Sequence, residues 1–304
     1  MLDYYIADVF THERFSGAQI AVFPHAEELN TKQMEVIAKE MNLSETVFIS
    51  NIDNEQSRRR MRIFTPLSEI DFAGHPVIAT AYVLAECKDI ELSGAETELT
   101  LVQNSGDIDV TLSAENGQVS FVQFKRTVSP VIDRFTPSEN ELAEILSLDA
   151  SDIDNTKYTA RLVSCGFPYL IVSAKSYEAV RKAKFNYTAW AHSAAPQTAA
   201  SEILLISPNT PYKDSDFNAR LLGPNIGVHE DPPVGSAIPA FAAYLCSFRF
   251  TQQGTHSFAV DRGDDKKRRS VLNIEMDHKA QDELALRIGG QAVMVAEGKM
   301  HIPN

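Results

Sequence analysis

Cysteine is scarce. The 304-residue chain has three, Cys87, Cys165 and Cys246, too few and too far apart for a disulfide framework or a C-x-x-C pair. The odd, sparse count fits a reducing compartment. Cys87 and Cys246 each follow an apolar run and read as small buried hydrophobes. Long apolar stretches are missing too: none reaches the about 18 residues that a membrane span requires. The opening Met1-Leu2-Asp3-Tyr4-Tyr5 has neither the basic flank nor the apolar core of a secretory leader, so a cytoplasmic protein without membrane contact is expected. Positive charge is in deficit, with 28 Lys and Arg against 41 Asp and Glu for a net charge of −13. Such a surface repels phosphate backbones, so nucleic acid is not an expected partner. Gly-x-Gly-x-x-Gly and phosphate-loop patterns are absent, and no nucleotide cofactor is implied. His-Glu-x-x-His is absent as well, and His229-Glu230-Asp231 alone does not imply a metal. Two basic runs, Arg58-Arg59-Arg60 and Lys266-Lys267-Arg268-Arg269, read as solvated loops or strand edges.

What is present is an ordinary globular composition, 44% hydrophobic and 23% charged, long enough for two domains. Strands are predicted at Tyr4 to Val9, Gln19 to Phe23, Thr46 to Ile49, Met61 to Phe64, Tyr169 to Val172 and Ile203 to Ile206. Thr31 reads as the cap of a helix whose Met34, Ile37, Ala38 and Met41 share one face, with Asn42 at its end. Glu45 then stands where that helix hands over to a strand. Residues 106–124 read as a hairpin turning at Asn116-Gly117. Thr136-Pro137 reads as the start of a helix carrying Leu142, Ile145 and Leu146, with Pro137 at the first helical position. Trp190 reads as a loop residue covering an apolar surface.

Two segments stand out because they are apolar on nearly every side, Val77 to Ala85 and Ile238 to Leu245. Each follows a small residue and a glycine: Ala73-Gly74-His75-Pro76 and Val234-Gly235-Ser236-Ala237. Gly74 and Gly235 are 161 residues apart, and Ala79, Ala81 and Leu84 match Ala240, Ala242 and Leu245 at the same spacing, a modest sign of internal duplication. An all-apolar helix must be buried all round. Its first N–H groups have no intrahelical partner, and its dipole favours negative charge there. Two such termini suit a small carboxylate or enolate. Glu45, beside apolar Leu43 and Val47, can serve as an acid/base if burial raises its pKa toward neutrality. His75 and Asp231 flank the helix starts, and Ser236 can donate to an oxyanion. Each also has an ordinary reading: Glu45 as a capping or exposed carboxylate, His75 as a turn histidine before proline, Asp231 and Ser236 as turn and cap residues.

Taken together, Asn42-Leu43-Ser44-Glu45-Thr46, Phe64-Thr65-Pro66, Phe72-Ala73-Gly74-His75-Pro76 and Glu230-Asp231-Pro232-Pro233-Val234-Gly235-Ser236-Ala237 resemble the phenazine-biosynthesis PhzF family. Asp8-Val9-Phe10-Thr11, Phe15-Ser16-Gly17, Ala21-Val22-Phe23 and the closing Ile288-Gly289-Gly290-Gln291-Ala292 fit it too, so the resemblance runs from residue 8 to residue 292. It implies an α+β diaminopimelate epimerase-like fold with two pseudo-symmetric domains, each a β-barrel-like sheet around a central buried helix. The expected division is 1–128 and 129–285, with 286–304 returning to the first half and an active site between the halves. In diaminopimelate epimerase a cysteine at each helix start exchanges the α-proton. Here those positions hold Ala73 and Val234, so a two-thiol mechanism there is excluded.

The resemblance implies instead a cofactor-independent isomerase or epimerase of a small carboxylate. Glu45 is its acid/base, assisted by His75, Asp231 and Ser236. Gly74, Gly235, Ala73, Val234 and Ala18 line the substrate, with no metal or organic cofactor and a homodimer as the expected assembly. Phenazine-pathway members isomerise a dihydro-hydroxyanthranilate. The chain departs from the family at Ala18, usually asparagine, and at Pro233-Val234, usually Ala-Thr. Both changes remove a polar group and point to a less polar substrate, or to a non-catalytic metabolite-binding or scaffold protein on the same fold.

Overall fold

The computed structural model describes residues 1–52, 57–224, 233–263, 268–279 and 283–303. The chain divides into two units. The first comprises Met1–Arg126, Arg268–Leu272 and Arg287–Asn304, the second Thr127–Lys267 and Asn273–Leu286. Each is a mixed sheet with few helices.

In the first unit, β1 (Leu2–Val9) lies between β2 (Ala18–Phe23) and the C-terminal strand Ala292–Met300, antiparallel to both. β2 runs parallel to β3 (Glu45–Asn51), and the crossover that a parallel pair needs is α1 (Thr31–Met41). α1 buries Met34, Ile37 and Ala38, the face its spacing predicts. Its cap is Asn30 rather than Thr31: Asn30 and Gln33 exchange side-chain-to-backbone hydrogen bonds of 3.1 Å, a reciprocal capping box. Asn42 ends the helix in the left-handed region, φ 50°, where asparagine is tolerated. β3 pairs antiparallel with β4 (Arg58–Phe64), which pairs antiparallel with the short β5 (Glu69–Ile70) and parallel with β6 (Glu96–Gln103). β6, β7 (Gly106–Glu115) and β8 (Gln118–Val128) form an antiparallel meander. Its second turn has Asn116 at φ 53° and Gly117 at φ 78°, the two left-handed residues that match the twist of a hairpin.

The second parallel crossover, from β4 to β6, contains α2 (Gly74–Glu86). All its residues from Gly74 to Ala85 are buried, and it packs against β1, β2, β3, β7 and Ala292–Met300. Val77, Ile78, Val83 and Leu84 are fully enclosed, each contributing about 1.5–3 kcal/mol relative to exposure. This is why the segment is apolar without a polar stripe.

In the second unit, β9 (Val131–Asp133), β10 (Arg161–Ser164) and β11 (Pro168–Ser173) are antiparallel neighbours. β11 is parallel to β12 (Glu202–Ser207), β12 antiparallel to β13 (Phe217–Leu222), and β13 parallel to β14 (Gly254–Arg262). Helix α3 (Glu139–Leu146) begins after Ser138, which forms a capping box with Glu141, so Pro137 precedes the cap instead of opening the helix. α3 packs with α5 (Tyr187–His192), and α4 (Tyr177–Lys182) lies between them in sequence. Trp190 lies in α5, not in a loop, and joins Leu142, Ile145, Leu146, Leu170 and Val172 in one apolar cluster. Between β13 and β14 runs α6 (Ile238–Cys246), buried from Ile238 to Leu245 and packed on β10 and β11.

Several side chains differ from their sequence reading. Cys87 and Cys246 are half-buried rather than core; burial pushes the Cys246 thiol up to about 11. Arg59 is buried and donates to the Asp89 carbonyl oxygen, because β4 is an interior strand flanked by β3 and β6. Arg268 is also more than a solvated residue, as described below. Among the described residues, no helix is long and apolar enough to cross a membrane.

Candidate active site

Glu45 owes its place to the end of α1. The Asn42 N–H donates to the Ala38 carbonyl oxygen at 3.1 Å, the left-handed turn reverses the chain, and β3 starts at Glu45 opposite Ile20 of β2. Its Oε2 is buried and accepts no hydrogen bond among the described residues. Burial therefore pushes the Glu45 carboxyl above the usual carboxylate range, and a hydrogen bond with Ser44 opposes this more weakly. A carboxyl in that condition holds a proton longer than an exposed one and is a stronger base once it loses it.

At the start of α2, Ala73 is the extended N-cap residue, φ −152°. It gives no side-chain cap, and no acidic residue stands in the first turn. The positive end of the helix is thus unneutralised by its own sequence. His75, 2% exposed, sets its ring edge-to-face against Phe10 with centroids 4.8 Å apart. Gly74 faces Phe124: a Cβ there would lie 3.1 Å from that ring. α2 packs on β2 and β3, so Ala18, Glu45, Ala73, Gly74 and His75 all belong to one helix-and-sheet assembly.

Ala18 is buried at the first position of β2, opposite Val9. The residue before it must be glycine. Gly17 has φ +64°, and a Cβ there would lie 2.3 Å from the Val9 carbonyl oxygen. The loop that delivers Ala18 is tied to the segment Arg268–Leu272. Gly17 N–H and Ser16 Oγ both donate to the Arg269 carbonyl oxygen at 2.9 Å. The Arg268 guanidinium donates to the carbonyl oxygens of Gly17 and Ser16 and pairs with the fully buried Asp8 carboxylate. Asp8 also accepts from the Phe15 N–H at 2.6 Å. Burial raises Asp8 above the usual carboxylate range, opposed by Arg268.

In the second unit, Val234 is fully buried and precedes a single 3-10 turn, Gly235–Ala237, that runs into α6. The Ala237 N–H donates to the Val234 carbonyl oxygen at 3.0 Å. Gly235 is buried and Ser236 exposed. Burial strongly raises the Tyr169 pKa on β11, and the Ser236 hydroxyl beside it opposes this. Asp231 lies outside the described residues. Among the described residues no group of three or more His, Cys, Asp and Glu side chains is arranged to hold a metal ion. Reading the sequence missed three supporting residues. Asp8 has no local mark of a role, Arg268 reads as one residue of a basic run, and nothing near Tyr169 marks it as the neighbour of Ser236.

The family model for phenazine biosynthesis-like proteins, PhzC-PhzF, matches residues 7–298. The chain belongs to this family. An uncharacterized isomerase of Mesorhizobium japonicum is 32% identical over 99% of both chains. The trans-2,3-dihydro-3-hydroxyanthranilate isomerase of Pseudomonas aeruginosa is 26% identical over 98% of this chain and 99% of its own. The crystal structure of a PhzF-family protein from Bacillus anthracis superposes with a TM-score of 0.86 over 99% of both chains at 24% identity, a likeness of fold. As a PhzF-family protein the chain is an enzyme of the isomerase class, with the mixed sheet and few helices of that fold.

Proposed function

We propose that this PhzF-family isomerase moves a proton on a small carboxylate substrate, with Glu45 as acid and base and without a cofactor. The observation that carries the reading is the buried Glu45 carboxyl, raised by burial and left with one oxygen accepting no bond among the described residues. Glu45 takes a proton from a carbon made acidic by a neighbouring carboxylate or conjugated system. The same group, now protonated, returns it to another face or another carbon, so no net proton is gained or lost. Negative charge that develops on the substrate is met by the uncapped N–H groups at the start of α2. His75 and Ser236 are assigned to orient the substrate, together with Asp231.

The buried methyl groups at Ala18 and Val234 support a substrate with fewer polar groups at those two contacts than the family pattern accommodates. The pseudo-symmetric barrel arrangement and the homodimer are part of the same proposal.

Proton NMR in heavy water tests it. Wild type and Glu45→Gln would be incubated with chiral amino acids, cyclic unsaturated carboxylates and trans-2,3-dihydro-3-hydroxyanthranilate. Deuterium entering a carbon position with wild type alone is the expected result. Equal incorporation by Glu45→Gln would remove Glu45 from the chemistry.

A further inference from the structure

The second unit contains a groove of about 570 Å³, inside the roughly 300–1,000 Å³ usual for small-molecule sites. None of its lining residues belongs to the set discussed above. Four cations line it, Arg134, Lys157, Arg161 and Arg249, in a protein whose net charge is −13.

Arg161 is the deepest of the four. It opens β10 and is 9% exposed. Its guanidinium carbon lies 4.2 Å from the centre of the Phe248 ring. Nη1 makes one long hydrogen bond, 3.4 Å, to the Ser247 carbonyl oxygen at the end of α6, while the buried Nε–H has no hydrogen-bond partner among the described residues. A cation at a helix C-terminus is ordinary, but that contact uses one of five N–H donors. Arg134 approaches closely enough to add like charge: burial first, and Arg134 second, lower the Arg161 pKa.

Neither acid that lines the groove offsets this. Asp154 Oδ1 is taken by the Thr156 N–H, the Thr156 hydroxyl and the Lys157 N–H, at 2.9, 2.8 and 3.2 Å. Glu139 Oε2 accepts from the Asn155 side chain at 2.9 Å. A buried guanidinium with donors to spare is costly unless an acceptor arrives. The Nε–H and Nη–H edge of arginine presents two parallel donors matched to two oxygens of one oxyanion. Beside it, Phe248 and Phe250 stack with centroids 5.2 Å apart and planes at 11°, an apolar wall for the body of a ligand.

We propose that this groove is a binding site for a small oxyanion-bearing ligand, a carboxylate or a phosphate, seated on Arg161 with Arg134 and Arg249 at its mouth. The site is additional to the chemistry assigned to Glu45 and gives the enzyme a place where a metabolite other than its substrate is held.

Isothermal titration calorimetry on the full chain at low ionic strength tests this with two probes, benzoate and inorganic phosphate. Binding of benzoate alone identifies a carboxylate with an apolar body, and binding of phosphate alone a phosphate ligand. The bound probe should weaken by about tenfold or more in Arg161→Met, which keeps an apolar stem on Phe248 and removes the donors. The exposed pair Arg134→Ala with Arg249→Ala should weaken it too, and this decides the matter if Arg161→Met does not fold. Glu45→Gln should bind as wild type does. Absence of binding by both probes overturns the proposal. So does binding that survives the groove variants, or binding that Glu45→Gln abolishes.

Discussion

The carboxylate of Asp8, fully buried in β1, is paired with the guanidinium of Arg268, 260 residues further along the chain. Because Arg268 also holds the carbonyl oxygens of Ser16 and Gly17, one ion pair fixes the loop that ends at Ala18. A residue proposed to line the substrate is therefore positioned by a segment returning from the far end of the sequence.

Removing the Arg268 side chain leaves the Asp8 carboxylate buried with the Phe15 N–H as its one hydrogen-bond donor among the described residues. The expected cost in Arg268→Ala is about 2–3 kcal/mol, below the roughly 3–5 kcal/mol of a wholly buried pair because Arg268 is one-third exposed. Arg268 is what opposes the rise of the Asp8 pKa, so the variant's Asp8 takes up a proton at higher pH than wild type does. Its stability deficit should shrink as the pH falls. Urea denaturation of both proteins at pH 7.5 and pH 5 measures this, and a deficit equal at the two values would refute the linkage.

Glu45 gives a prediction with a definite sign. Its folded-state pKa lies above the unfolded value, so between the two the folded protein binds more protons than the unfolded one. Stability conferred by the protonated form is present below the unfolded value and lost as pH rises through the folded value. Glu45→Gln cannot ionise and escapes that loss. It should match wild type at low pH, exceed it in stability at pH 8, and have activity lower by about 10²- to 10⁴-fold. Thermal denaturation from pH 4 to pH 8 provides the check; a variant less stable than wild type at pH 8 contradicts the burial argument.

The parts of this structure legible in the sequence are those set by neighbours in the chain. Asn116-Gly117 announces its hairpin because both residues tolerate positive φ. The run from Val77 to Ala85 announces a buried helix because no face is polar. Caps were legible but misassigned. Asn30 with Gln33 and Ser138 with Glu141 both carry the three-residue spacing of a capping box, but Thr31 and Thr136-Pro137 carry competing cap signals next to them. What pairs across long separations left no local mark. Asp8 with Arg268 and Tyr169 with Ser236 depend on strand order, so the polar partners that support the candidate residues emerge only with the fold.

Tyr169 tests the Ser236 assignment. The Ser236 hydroxyl opposes the rise that burial gives the Tyr169 hydroxyl, and Tyr169→Phe removes that polar neighbour while keeping the ring. The stability cost should be modest, about 0.5–1.5 kcal/mol for one hydrogen bond. With Ser236 free to rotate, substrate orientation suffers, and kcat/KM on whichever substrate the exchange experiment identifies should fall by about tenfold. Ser236→Ala should have a similar effect, and the double variant should lose little more than either single one. Fully additive losses would show that the two hydroxyls act independently.

Gly17 and Gly94 separate backbone strain from crowding. Both have positive φ, +64° and +76°, but a Cβ at Gly94 would meet nothing within 4 Å, while one at Gly17 would lie 2.3 Å from the Val9 carbonyl oxygen and 2.6 Å from Thr11 Cγ2. Gly94→Ala should cost only the left-handed penalty, about 1–2 kcal/mol. Gly17→Ala adds a clash with backbone that cannot swing aside, and its total should exceed about 3 kcal/mol. The displaced loop would also carry Ala18 away from β1 and loosen the Asp8–Arg268 pair, so activity should drop with stability. Denaturation midpoints of the two variants measured side by side decide this, and equal costs would mean that the Gly17 loop relaxes without loss.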